Sequence, residues 1–176
     1  MRFGKTSFLA AILVAAAAVF AATAAADHGG GKGDDHGHGH RGHGHAHAQK
    51  TVLEQNLVGS ILSDPPIHGV TRGGVPWEGT GTAELRKHGK FELRIRNLVI
   101  EGTDNPGPVT TITVSLYCAP DSSGAVFTTS PVPLSSHGNA RVRQHVTVPQ
   151  RCLAPVLLVH PNGSAAAYIA ATGFTS

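Results

Sequence analysis

The chain has 176 residues, 40% hydrophobic and 5% aromatic, with fourteen Lys/Arg against eleven Asp/Glu. That length suits a leader, an arm and one ordinary domain rather than several domains. The formal charge of +3 is small, and no basic patch is interleaved with aromatics, so nucleic acid is not an expected partner.

Residues 1–26 read as a signal peptide. Arg2 and Lys5 form a positive start, and Phe8 to Phe20 is an apolar, Ala-rich run. Thr23-Ala24-Ala25-Ala26-Asp27 supplies the small residues a signal peptidase requires. The run is almost long enough to span a bilayer. Its core is mostly Ala, however, and no second apolar span follows, so cleavage after Ala26 is expected. The product is then secreted or held in the cell envelope, with no transmembrane span. Cleavage removes Arg2 and Lys5 and no acidic residue, leaving twelve basic and eleven acidic side chains and a formal charge of +1.

Residues 27–50 form a His/Gly-rich arm. It contains no apolar residue larger than Ala, so it cannot bury enough surface to offset its ordering entropy, and disorder without a ligand is expected. His28, His36, His38, His40, His43, His45 and His47 all lie here. In an extended chain, residues two apart project to the same side. His36, His38 and His40 therefore make one row. Arg41-Gly42 shifts the phase, and His43, His45 and His47 make a second. Glycines permit each row to wrap around one divalent ion. Imidazole donors suit Zn, Cu and Ni, with Cu(II) held best at equal availability. Asp34 and Asp35 can complete a site. A cut after Ala25 instead would begin the chain Ala26-Asp27-His28, whose amine, two amides and imidazole suit square-planar Cu(II) or Ni(II).

The same imidazoles titrate near neutrality. Lys32, Arg41 and Lys50 balance Asp27, Asp34 and Asp35, so the arm gains up to seven positive charges on acidification. Anionic wall polymers and lipid headgroups would then attract it. The plain alternative is a solubilising spacer.

Residues 51–176 read as an all-β domain of about eight short strands, an antiparallel β-sandwich or a small barrel. Val52 to Leu62 is the first run, ended by Asp64-Pro65-Pro66. Thr80 to Leu85 is the next. Phe91, Leu93 and Ile95 then alternate with Glu92, Arg94 and Arg96, a half-buried strand. Ile112, Val114 and Leu116 alternate with Thr111, Thr113 and Ser115 in the same manner. Ala125 to Thr129 is a short strand, placed at an edge by Pro131 and Pro133. Val142, Val146 and Val148 alternate with Arg141, Arg143, His145 and Thr147. Val156 to His160 is a continuous apolar strand, Pro161-Asn162-Gly163-Ser164 a hairpin turn, and Ala166 to Thr172 the last strand.

Cys118 and Cys152 are the only cysteines. In an exported protein an even pair forms one disulfide, which stabilises by roughly 3–4 kcal/mol in the chain-entropy model. It would tie the end of the Ile112 strand to the start of the Val156 strand. A zinc site of the two thiolates with His160 is the competing arrangement.

Leu57-Val58-Gly59, Asp64-Pro65-Pro66, Gly79-Thr80-Gly81-Thr82-Ala83-Glu84-Leu85, Gly89-Lys90-Phe91 and Leu158-Val159-His160-Pro161 together resemble part of a chordin-type (CHRD) repeat. That family's central His-x-His-x-Gly element has no counterpart after Leu98-Val99-Ile100, where Glu101-Gly102-Thr103-Asp104 stands. Residues 51–174 more broadly resemble small secreted β-domain proteins of unassigned function from high-GC bacteria. Neither resemblance supplies a catalytic residue.

Within the domain, His88 and His137 sit beside glycine in turns, His145 lies on the polar side of its strand, and His160 reads as a hydrogen-bonded edge residue. Arg94, Arg96, Arg141 and Arg143 line one sheet face if their two strands are neighbours, and such a face suits an acidic partner. Trp77 is either a binding-surface aromatic or a packing residue. Nucleophile-elbow, zinc-helix and phosphate-loop motifs are absent, so neither enzyme activity nor an organic cofactor is expected. Two functions stand side by side. One is extracytoplasmic Zn, Cu or Ni capture or buffering by the arm. The other is an interaction module, for a protein or a cell-envelope polymer, with the arm as a spacer.

Overall fold

The structure is a computed structural model that describes residues 50–119 and 124–175. The expected signal peptide and all seven arm histidines lie outside the described residues. These contain no helix, and so none long and apolar enough to cross a membrane.

Eleven strands follow one another: β1 Thr51–Gly59, β2 Thr71–Arg72, β3 Trp77–Arg86, β4 Lys90–Ile100, β5 Thr111–Tyr117, β6 Phe127–Thr128, β7 Val132–Pro133, β8 Ala140–His145, β9 Val156–Pro161, β10 Ala167–Tyr168 and β11 Ala170–Thr172. The main sheet runs β6-β5-β9-β11-β1-β3-β4-β8, with β7 also beside β5 and every pairing antiparallel. β2 and β10 make a separate parallel pair.

The sheet curls into a half-barrel because one face of every long strand is apolar. Phe91, Leu93 and Ile95 of β4 are buried, as the alternation predicts, together with Leu57, Leu85, Ile112, Val114, Leu116, Val142, Leu157 and Val159. The two ends of the curl meet across this core. Phe91 and Phe127 pack edge to face with ring centroids 5.3 Å apart. Gln144 of β8 accepts from the Ser130 amide at 2.8 Å and donates to the Ser130 carbonyl at 3.1 Å, a side chain bridging the two ends of the sheet.

Several boundaries differ from expectation for local reasons. β3 begins three residues earlier, at Trp77, because its register shifts between Glu78 and Thr80, where Gly79 takes a φ of 135°. Its Cβ would lie 2.6 Å from the Asn97 carbonyl oxygen, so glycine is required there. The last run splits into β10 and β11 at Ile169. The Asn162-Gly163 turn forms with φ of 46° and 73° and returns the chain so that β11 pairs with β9. β6 is at the sheet edge as expected.

The Cys118–Cys152 disulfide is present, with the Cα atoms 5.0 Å apart. It joins the end of β5 to the approach to β9, strands that pair directly through Tyr117 and Val156. The zinc alternative is thereby excluded for this pair of thiols.

Candidate functional site

The outer surface of β1, β3, β4 and β8 carries side chains in rows that follow the register. One row is Glu54, Glu84, Glu92 and Arg143; the next is Asn56, Thr82, Arg94 and Arg141; a third holds Val58, Thr80 and Arg96. β4 and β8 are therefore neighbours, and the arginines expected to share a face do so. Arg94, Arg96, Arg141 and Arg143 are all exposed.

Their charges are not equivalent. Arg143 stands opposite Glu92 and helps hold its carboxyl ionised. Arg94 stands directly opposite Arg141, a like-charge pair that sheets generally disfavour. Among the described residues, the ion pairs are Arg86–Glu84 at 3.0 Å and Lys90–Glu92 at 2.7 Å, and neither involves these four arginines. The Glu84 carboxyl is held below the usual range by the Thr51 hydroxyl at 2.7 Å and by Arg86. Glu92 is held low chiefly by its hydrogen bond to Lys90. Two of the three carboxylates in the first row are thus turned to partners of their own, and the charge of Arg94, Arg96 and Arg141 stays unmatched.

A groove of about 460 Å³ lies along this face. Asn56, Thr80, Thr82, Arg94 and Arg96 line it, and the Gly173–Thr175 segment forms one wall. Phe174 of that wall is 84% exposed, the most exposed large apolar side chain among the described residues.

The outer face of β5, β9 and β11 is the opposite case. Tyr117, Leu158, Tyr168, Ala171 and Val70 form a second small core there. Residues 60–74 cross it: the Tyr168 hydroxyl donates to the Pro65 carbonyl at 2.7 Å, and His68 stacks on Tyr117 with centroids 4.9 Å apart. Thr113 and Ser115, which alternate with the apolar residues of β5, are 6% and 3% exposed. The cause is this cover, because a strand buried on both faces no longer needs apolar residues at every position if its hydroxyls find partners.

His160 is one such partner and is not an edge residue. β9 lies between β5 and β11, and His160 is 1% exposed. Its Nδ1 lies 2.8 Å from the Ala167 carbonyl, which can only accept, so Nδ1 carries the proton. Nε2 then accepts from the Ser115 hydroxyl at 3.0 Å, and Ser115 Oγ accepts from Thr128 at 2.8 Å. Burial pushes the His160 pKa below its ordinary value, against the opposing pull of the Ala167 hydrogen bond. A serine hydroxyl on a neutral imidazole is also the geometry of an activated nucleophile. Here both groups are sealed beneath the second core, and the arrangement satisfies buried polar atoms.

The remaining candidates are on the surface or in the core. His88, His137 and His145 are exposed, with His145 paired to Lys90 beside the turn that carries His88, and Trp77 is a packing residue at 5% exposure. Among the described residues, no group of three His, Cys, Asp or Glu side chains is placed to hold a metal ion. Reasoning from sequence missed Asn56, Thr80, Thr82 and Phe174. The Thr80/Thr82 alternation on a Gly-rich strand was the available signal for two of them. Compared with known proteins, the chain matches no family model, no curated protein and no solved structure.

Proposed function

We propose that this is an exported metal-binding protein in which the histidine arm captures or buffers Zn, Cu or Ni ions and the disulfide-closed β-domain is its carrier. The single observation behind this reading is the placement of seven imidazoles between His28 and His47. Histidines two apart with glycine between them bring nitrogen donors to one side without steric cost. A tract without apolar residues to anchor it pays ordering entropy on binding, which favours exchange over a permanent structural centre. The domain's own histidines support the same division of labour. His160 is committed to Ala167 and Ser115, and among the described residues no three His, Cys, Asp or Glu side chains are placed to hold a metal ion.

Calorimetric titration of the exported chain with Zn(II), Cu(II) and Ni(II) tests this, beside a variant lacking residues 28–48. Saturable uptake by the full chain, lost in the deletion with unfolding temperature unchanged, is the expected result. Uptake no tighter than that of the same concentration of free imidazole would end the reading. So would full capacity in the deletion variant.

A second reading is favoured by the arginine face: the β-domain is itself an interaction module for an anionic component of the cell envelope. It is independent of the metal reading, since it uses β4 and β8 and not the arm.

A further inference from the structure

We propose that the groove between β1, β3, β4 and the Gly173–Thr175 segment binds an acidic oligosaccharide built of uronic-acid sugars. This rests on reading the domain as an interaction module and names its ligand. The positive charge lining the groove comes from Arg94 and Arg96, two residues apart on one strand and on the same face; Arg141, across from Arg94 on β8, stands outside the lining and adds to the positive field at its edge. Guanidinium groups bind carboxylates through paired N–H donors. A carboxylate held by Arg94 at the groove's edge also offsets the repulsion between Arg94 and the like charge opposite it.

The rest of the lining favours a sugar. Asn56, Thr80 and Thr82 present an amide and two hydroxyls, which both donate and accept as sugar hydroxyls do. Phe174 offers an exposed ring on the rim. An isolated exposed apolar side chain is ordinary. A ring bordering a polar groove can pack on the C–H face of a pyranose. The groove's volume of about 460 Å³ is in the range of small-molecule sites.

The flanking carboxylates decide among anions. Glu54, Glu84 and Glu92 occupy the adjacent row, and Glu78 and Asp104 line the surface on the other side of Arg96. A chain charged at every unit with no neutral donors, such as polyphosphate, meets repulsion on both sides. A uronate chain brings hydroxyl groups that donate to those carboxylates. An extended acidic peptide gains little here, because β1, β3 and β4 are hydrogen-bonded to one another along the groove and offer no open edge for strand addition.

The test is calorimetric titration of the exported full chain with tetragalacturonate at pH 8 in the presence of EDTA. Those conditions keep the arm imidazoles neutral and remove metal bridging. Saturable binding is expected, weakened at least tenfold in both Arg96→Ala and Phe174→Ala, with a neutral galactose tetramer giving no heat. Both side chains are exposed, and unchanged melting of the variants verifies their fold. Unchanged affinity in the two variants would overturn the assignment. Polyglutamate binding as tightly as tetragalacturonate, with the same loss in Arg96→Ala, would overturn the sugar while leaving an anion-binding module. Absence of binding to either probe would remove this face as an interaction site altogether.

Discussion

The two halves of the outer sheet surface solve different problems with similar backbones. Along β5 and β9 the outward residues are Thr113, Ser115, Tyr117, Leu158 and His160, and all are buried beneath residues 60–74 and their partners. Along β3 and β4 the outward residues include Thr80, Thr82, Arg94 and Arg96, all exposed. The covered half must satisfy each polar atom internally, and the His160–Ser115–Thr128 chain does so. The open half can leave charges unmatched, because water solvates them. The proposed ligand surface lies on the open half, and on the covered half polar residues serve the fold.

That contrast can be broken by substitution, beginning with the largest expected effect. Replacing Cys118 and Cys152 by Ser releases the staple on the covered half, whose partners are 34 residues apart. A loss of about 4 kcal/mol is expected in urea unfolding under the chain-entropy model. Leu158→Ala removes a fully buried side chain from the second core and should cost roughly 2–5 kcal/mol by the same measurement. A cost near zero would mean that residues 60–74 do not cover this face in solution.

His160 sharpens the comparison through pH. Its native pKa lies below the ordinary 6.5, so between the two values the unfolded chain binds the proton and the native state does not. Its contribution to stability is complete above pH 6.5 and declines as pH falls through that window. Urea midpoints measured from pH 7.5 to 5 should fall, and His160→Gln should flatten that decline. The lowered carboxyls of Glu84 and Glu92 act in the same direction, but only below about pH 4.5, where they become protonated. The smallest effect is on the open half: Arg94→Ala should change stability by no more than about 0.5 kcal/mol. A marked gain would show that its repulsion with Arg141 is costly in the free protein.

Legibility followed the same division. β4 was readable residue by residue, because one dry and one wet face impose a period of two. β5 carries the same written pattern, yet its hydroxyls are buried. Only the cover laid across it by Pro65, His68, Val70 and Tyr168 distinguishes the two. The four arginines suggested a shared face, but whether they met depended on the pairing of β4 with β8. That pairing then showed Arg143 to be matched by Glu92 and Arg141 to stand against Arg94. Phe174 gave no warning, since its meaning depends on a groove built by three other strands.

Composition and alternation, by themselves, determined an all-β domain with one disulfide, and the density of imidazoles in the arm is what motivates the metal-binding proposal. These are local properties: a strand's period and a tract's donor density are written in adjacent residues. The tertiary structure alone decided which polar residues are sealed, which arginines remain unmatched and where a groove opens. Each depends on strands brought together across tens of residues, and on a covering loop whose position no single strand encodes.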